Sequence, residues 1–226
     1  MDAAERLFAA HGFEATSLRA ITGEADVNLG AVNYHFATKD DLIVAVLTRR
    51  MRPINDRRLA LLGALEAEAG RRPLTVEQIL EAMFRPVLEL LTGASRTGGR
   101  SFLKLIGHVL DEPGDYLAPL IKEEFAEKLK RFHTALGRSL PGLPPEEIYW
   151  KQHFAMGAFV HTVARARVLE LMSGGTCKMS EIEETLARVI AFCAAGFKAH
   201  ANAGAPVKRT AGITKSARKT IQPLLK

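Results

Sequence analysis

Apolar residues recur at three- and four-residue steps along nearly the whole chain, and no run alternates with a period of two. That pattern predicts an all-α protein. The first helix is expected at Asp2–His11, with Ala4, Leu7 and Phe8 on one side. Gly12 stands where a left-handed helix terminus favours glycine, and Phe13 can then fold back on Leu7 and Phe8. Thr16 or Ser17 can cap a second helix at about 17–25, whose buried side is Leu18, Ile21 and Ala25. Asp26-Val27-Asn28 breaks the periodicity, and Asn28 can cap a short helix, Leu29–His35. Thr38-Lys39-Asp40-Asp41 has the form of a capping box, so its acids answer to helix electrostatics and need no catalytic role. Leu42, Ile43, Val46 and Leu47 carry the apolar side onward until Pro53, which is expected to kink or end that helix.

After Gly70-Arg71-Arg72-Pro73 the texture changes. "TVEQILEAMFRPVLELL", "SFLKLIGHVL" and "YLAPLIKEEFAEKLKRFHTAL" read as helices. "ASRTGGR" and Glu112-Pro113-Gly114 read as the breaks between them. "PGLPP" is a stop. Two long helices follow, about 146–172 and 180–203, apolar on more than one stripe and rich in Ala and Gly. Such helices need partners on two sides. Pairing them across a two-fold axis gives a four-helix bundle and a homodimer; full burial within one subunit is the alternative. The expected organisation is a small N-terminal unit over residues 1–47, a larger helical domain over 48–203, and a disordered tail over 204–226.

Charge changes this picture by its location. The formal net charge is +6. Lys208, Arg209, Lys215, Arg218, Lys219 and Lys226 follow the last acid, and they account for the excess. The body is therefore neutral, and the tail is either a solubilising segment or a tether for DNA phosphates. Residues 1–50 are slightly acidic: Arg6, Arg19, Lys39, Arg49 and Arg50 face Asp2, Glu5, Glu14, Glu24, Asp26, Asp40 and Asp41. The N-terminus lacks the basic start and apolar run of a signal peptide, and no window is long and apolar enough to span a bilayer. Cys177 and Cys193 are too few for a disulfide framework or a zinc site. A reducing, cytoplasmic setting is expected.

The short helix Leu29–His35 has an odd exposed side. With Val32 turned to the core, Leu29 and Phe36 lie beside it, while Gly30 and Tyr34 point away, flanked by Ala31 and Asn33. A merely solvated side would carry Lys, Glu and Gln. Small residues instead let the backbone approach a partner. Asn can make two hydrogen bonds to an adenine edge, Ala can meet a thymine methyl, and Tyr can reach a phosphate or a base. This is the reading surface of a helix-turn-helix, with the helix at about 17–25 positioning it. Lys39 and the Thr16 or Ser17 hydroxyl would hold phosphates at the rim. A helical hairpin packing its small residues against another helix is the bland alternative.

The order of these features in "LFAAHGFEATSLRAITGEADVNLGAVNYHFATKDDL", residues 7–42, resembles the N-terminal domain of the tetracycline-repressor (TetR) family of bacterial regulators. The resemblance implies a dimeric, all-helical transcription factor, most often a repressor. Its N-terminal domains would dock in successive major grooves of a near-palindromic operator, and its C-terminal domain would bind a small effector. Carried over residue by residue, the DNA contacts fall on Thr16 or Ser17, Arg19, Leu29, Gly30, Ala31, Asn33, Tyr34, His35 and Lys39. His35 serves equally as a structural residue. Three features depart from the family: Asp26 occupies a turn position usually held by Gly, the basic N-terminal arm is missing, and the unit has an acidic balance.

The larger domain carries little chemistry. There is no Gly-x-Ser-x-Gly elbow, phosphate-cradling glycine loop or Cys–His set, so neither an enzyme nor a cofactor is expected. His108, Asp111 and Glu112 are neighbours, and His153 and His161 share a helix, but neither set has the spacing of a metal site. Phe84, Phe102, Leu105, His108, Tyr116, Phe125, Trp150, His153 and Phe154 could line an effector pocket between helices. The implied effector is small and mostly apolar. A second function class fits the same inventory: a helical small-molecule-binding or carrier protein that has lost DNA binding.

Overall fold

The structure is a computed structural model that describes residues 1–92, 96–179 and 182–199, apart from the side chains at 31–33, 92, 96–98 and 100. The described residues form helices and no strands, as the periodicity requires. The basic tail lies outside them. Three short helices come first: α1 (Asp2–His11), α2 (Leu18–Ala25) and α3 (Leu29–His35). They are followed by α4 (Lys39–Ala69), α5 (Val76–Thr92) and α6 (Arg96–Asp111). Next come α7 (Leu117–Leu120), a π-helical turn (Ile121–Phe125) and α8 (Ala126–Ser139). The series ends with α9 (Pro145–Ala164), α10 (Ala166–Met172) and α11 (Ile182–Lys198).

Two hydrophobic cores organise these helices. The smaller gathers Phe8, Phe13, Ile21, Ile43 and Val46 beneath α1–α3, and is closed from the far side by Leu105, Tyr116 and Leu120. The larger holds Leu62, Ile79, Leu80, Phe84, Phe159 and Phe197 among α4, α5, α9 and α11. Helix α4 belongs to both: Leu47 sits in the first core and Met51 in the second. Its start is a complete capping box, in which Thr38 and Asp41 each satisfy the other's backbone N–H.

Four details differ from the periodicity. Pro53 lies inside α4, which continues for 31 residues without a break. A mid-helix proline costs about 3 kcal/mol. Here both flanks are anchored, with Arg49 and Arg50 on buried Glu5 and with Met51 and Ile54 in the larger core. The "ASRTGGR" segment is helical from Arg96 onward. A Cβ on Gly99 would stand 2.9 Å from the Leu90 carbonyl oxygen, so this glycine serves close packing of α6 on α5, not a turn.

The span 117–139 is not one helix, because the π-helical turn interrupts it and carries the buried Glu124 inward. There the Glu124 backbone oxygen accepts from Asn55 Nδ2 at 3.1 Å and its carboxylate pairs with Arg52 at 2.8 Å. The helix expected over 146–172 breaks at Arg165 (φ −119°, ψ 27°). Just before the break, the Thr162 hydroxyl donates to the Ala158 oxygen at 2.8 Å, a back-bond that bends helices.

Candidate nucleic-acid interface and the cleft behind it

The N-terminal unit is built to hold α3 outward. Gly12 ends α1 at φ +84°, and the Phe13 ring then folds onto Phe8 with centroids 5.4 Å apart. Ser17 caps α2 by accepting from Ala20 N–H at 3.1 Å. Asp26 closes α2 in the left-handed region (φ 51°, ψ 48°), the expected strained turn. Asn28 Oδ1 accepts from Gly30 N–H at 2.8 Å and so starts α3.

The candidate contact residues divide by position. Tyr34 is 86% exposed, and the neighbouring His35 ring stands edge-on to it at 5.3 Å. His35 is exposed, on the outer side with Tyr34. Gly30 and Arg19 are exposed and Leu29 is half-buried; the side chains of Ala31 and Asn33 lie outside the described residues. Ser17 is exposed. Thr16 is buried, and its hydroxyl donates to the Gly12 oxygen at 2.7 Å, so of the two only Ser17 faces solvent. Lys39 is half-buried, with Nζ donating to the Phe13 oxygen at 3.0 Å. It therefore ties the start of α4 to the α1–α2 turn.

Three of the five cations of residues 1–50 are engaged within the unit. Arg6 pairs with Glu24 at 2.9 Å, and Arg49 pairs with both Asp2 and Glu5 at 2.6 Å. Arg50 shares Glu5. Burial pushes the Glu5 carboxyl up, but hydrogen bonds from Arg50 and Arg49 outweigh it, and the group rests below the usual carboxylate range. Arg19 and Lys39 are the cations outside these pairs.

The unit docks on the body through the end of α6. Glu112 Oε2 accepts from the backbone N–H groups of Phe13 and Glu14, each at 3.2 Å. The Phe13 ring also meets Tyr116 at 5.1 Å and His108 at 5.9 Å. His108 Nδ1 lies 3.6 Å from Glu112 Oε1. The φ of +84° at Gly12 strains any L side chain, and a Cβ there would also stand 2.7 Å from Glu112 Oε1, so the carboxylate would have to shift. In the sequence Glu112 reads only as a neighbour of His108, and its docking role has no local signature beyond their four-residue spacing.

The residues suggested for an effector pocket scatter into five settings. Phe84 is stacked on Phe159 at 4.4 Å inside the larger core, and Phe102 is buried with them. Leu105 and Tyr116 are buried in the smaller core, where they seat the N-terminal unit. Phe125 is half-buried against both cores. Trp150 and Phe154 are exposed, at 52% and 62%, on the outer side of α9. Only His108 and His153 meet across a cleft. It runs between α6 and α9, has a volume of about 590 Å³, and is floored by Leu103, Met156 and Val160. Among the described residues no group of three or more His, Cys, Asp or Glu is arranged to hold a metal ion, and no helix is long and apolar enough to cross a membrane.

An outward-facing helix-turn-helix on an all-helical body defines a helix-turn-helix regulator. Residues 1–46 match the bacterial regulatory proteins of the tetR family, and residues 81–196 match the tetracyclin repressor-like C-terminal domain. The chain belongs to the TetR family of transcriptional regulators. No curated protein matches it in sequence. Among solved structures, the fatty acid degradation regulator FadR of Bacillus halodurans aligns with a TM-score of 0.58 at 16% identity, over 86% of this chain and 96% of that one. FadR of Bacillus subtilis, solved with stearoyl-CoA, aligns with a TM-score of 0.56 at 18% identity over the same shares. The superantigen PfiT aligns with a TM-score of 0.55 at 20% identity, over 84% of this chain and 92% of that one. At these identities the likeness is one of fold.

Proposed function

We propose that the protein is a homodimeric, cytoplasmic DNA-binding regulator, a repressor released from a near-palindromic operator by a small effector, with no catalytic activity. Residues 1–47 are the reading unit and 48–203 the effector-binding and dimerisation domain. The observation that carries the reading is the outward side of α3: Tyr34 stands almost fully in solvent on a unit whose own core is already closed beneath it. Gly30, Ala31, Asn33, Tyr34 and His35 would meet base edges, with Leu29 beside them. Ser17, Arg19 and Lys39 would hold phosphates at the rim.

The dimer face is the outer side of α9 and α11, where Trp150, Phe154 and Phe192 are exposed together. Phe154 and Phe192 flank an open groove of about 590 Å³. An apolar surface of this kind marks a protein contact. Two-fold pairing there sets two α3 helices toward successive major grooves.

A carrier that has lost DNA binding is the second reading. It is favoured by the acidic balance of residues 1–50 and by the engagement of Arg6, Arg49 and Arg50 within the unit. A gel shift on the protein's own upstream DNA at low ionic strength separates the two. A discrete complex competed by that duplex and not by unrelated DNA supports the regulator. No complex with any duplex leaves the carrier.

A further inference from the structure

The α6–α9 cleft has a lining whose chemistry selects a ligand. Gly107 and Gly157 face into it from the two helices, and a Cβ on either would meet nothing within 4 Å. The cleft is therefore unobstructed at these two positions. From Leu103 to Asp111 the α6 wall runs roughly 12 Å. The floor is apolar and half-buried, while the rim is basic.

Lys104 and Arg165 both stand at that rim, exposed, and neither has an ion pair among the described residues. His153 and His161 stand with them, and Asp111 is the acid of the lining. Cations with no ion pair among the described residues, set over an apolar trough, suit a carboxylate, sulfate or phosphate head on an elongated apolar body. A cationic head would find one acid, Asp111, against Lys104 and Arg165, and a neutral molecule would leave the rim unused.

His108 belongs to two sites at once. It lines the cleft, and its Nδ1 faces the Glu112 carboxylate that holds the Phe13 and Glu14 backbone. An anionic head beside His108 competes with Glu112 for the imidazole. The ligand then binds more tightly when that docking contact is loosened, which is the differential affinity a switch requires.

We propose that the α6–α9 cleft takes an organic anion with an elongated apolar body, and that His108 relays its occupancy to the Glu112 contact with the N-terminal unit. The proposal rests on the reading of the body as an effector-binding domain, whose ligand class it supplies. It is tested on the full chain by calorimetry with decanoate, decan-1-ol and decyltrimethylammonium, and by operator affinity with and without decanoate. Decanoate is expected to bind at least tenfold more tightly than the alcohol, with the cation weaker still. Gly157→Leu, which fills the cleft, should remove decanoate binding while the helical circular dichroism is retained. The Lys104→Gln, Arg165→Gln pair should bring decanoate down to the level of the alcohol.

Decanoate should lower wild-type operator affinity at least tenfold. Glu112→Gln should still bind decanoate, but its operator affinity should no longer respond. Equal binding of acid and alcohol, or decanoate binding untouched by Gly157→Leu, overturns the ligand class. Decanoate binding with no change in operator affinity overturns the relay. The two readings fail separately. A chain that binds its operator but does not prefer the anion keeps the regulator and loses this site. One that prefers the anion but binds no duplex keeps the site and loses the regulator.

Discussion

Two surfaces of this molecule are exposed without being ordinary solvent faces, and they are opposites. The outer side of α3 offers Gly30, Tyr34 and His35: a small residue and two rings with polar atoms at their tips. The outer side of α9 and α11 offers Trp150, Phe154 and Phe192, with Phe192 73% exposed. A surface of small groups and hydrogen-bonding rings costs little to leave in water, and gains when a polar partner comes close. A surface of large apolar rings is unfavourable in water until an equally apolar partner covers it. The first suits a reversible, sequence-dependent contact with a nucleic acid. The second suits a standing contact between subunits. Exposure alone does not say which is which; the chemistry of the side chains does.

The sharpest way to break this contrast is Phe192→Glu. A charge in the apolar face should convert the dimer to monomer by analytical ultracentrifugation and reduce operator affinity by two orders of magnitude or more, since each half-site must then be bound alone. A dimer that survives would place the interface elsewhere.

Next in size is Glu5→Gln, which leaves both surfaces alone and loosens the platform between them. Removing the charge of a buried carboxylate held by two arginines should cost about 3 kcal/mol of stability in denaturant titration. The folded Glu5 carboxyl lies below its unfolded value. Its contribution is therefore complete above the unfolded pKa and is lost as pH falls through the folded one. The variant should accordingly show a flatter acid limb than the wild type.

Tyr34→Ala should leave the melting temperature unchanged and cost about 1–3 kcal/mol of operator binding, seen by fluorescence anisotropy. If the affinity is unaffected, the outer side of α3 is not the reading surface. Asn33→Ala belongs to the same test and should relax base preference, whereas Lys39→Ala should weaken all duplexes alike. Asp26→Gly is the smallest change. It relieves a non-glycine residue in the left-handed region and should raise stability by under about 1 kcal/mol in thermal melts.

How much of this was legible in the sequence depends on how local the cause is. Helices α1, α2 and α3, the Thr38 capping box, the strained Asp26 turn and the outward Tyr34 all follow from spacing and from residue types a few positions apart. What escaped depends on distant chain. Pro53 reads as a break because its local cost is visible, while the Glu5 pairs and core contacts that carry the helix through it are not. Gly98-Gly99 reads as a loop because the Leu90 carbonyl that Gly99 must admit lies on another helix. Leu105 and Tyr116 read as pocket residues because their size is visible, whereas their place under Phe13 is set by the docking of α6 on α1. Among the pocket candidates His108 and His153 share the cleft, and its Lys104 and Arg165 rim had no pattern to announce it.

Helix α4 passes unbroken from one core to the other, and that makes it a lever. Its 31 residues form an arm of roughly 46 Å. A tilt of about 4° at the Ala69 end displaces the Lys39 end by roughly 3 Å, close to the rise of one base pair. Pro53 lies within that arm without ending it. In a symmetric pair, a tilt of that size in each arm would put the two reading helices out of step with the pitch of the double helix.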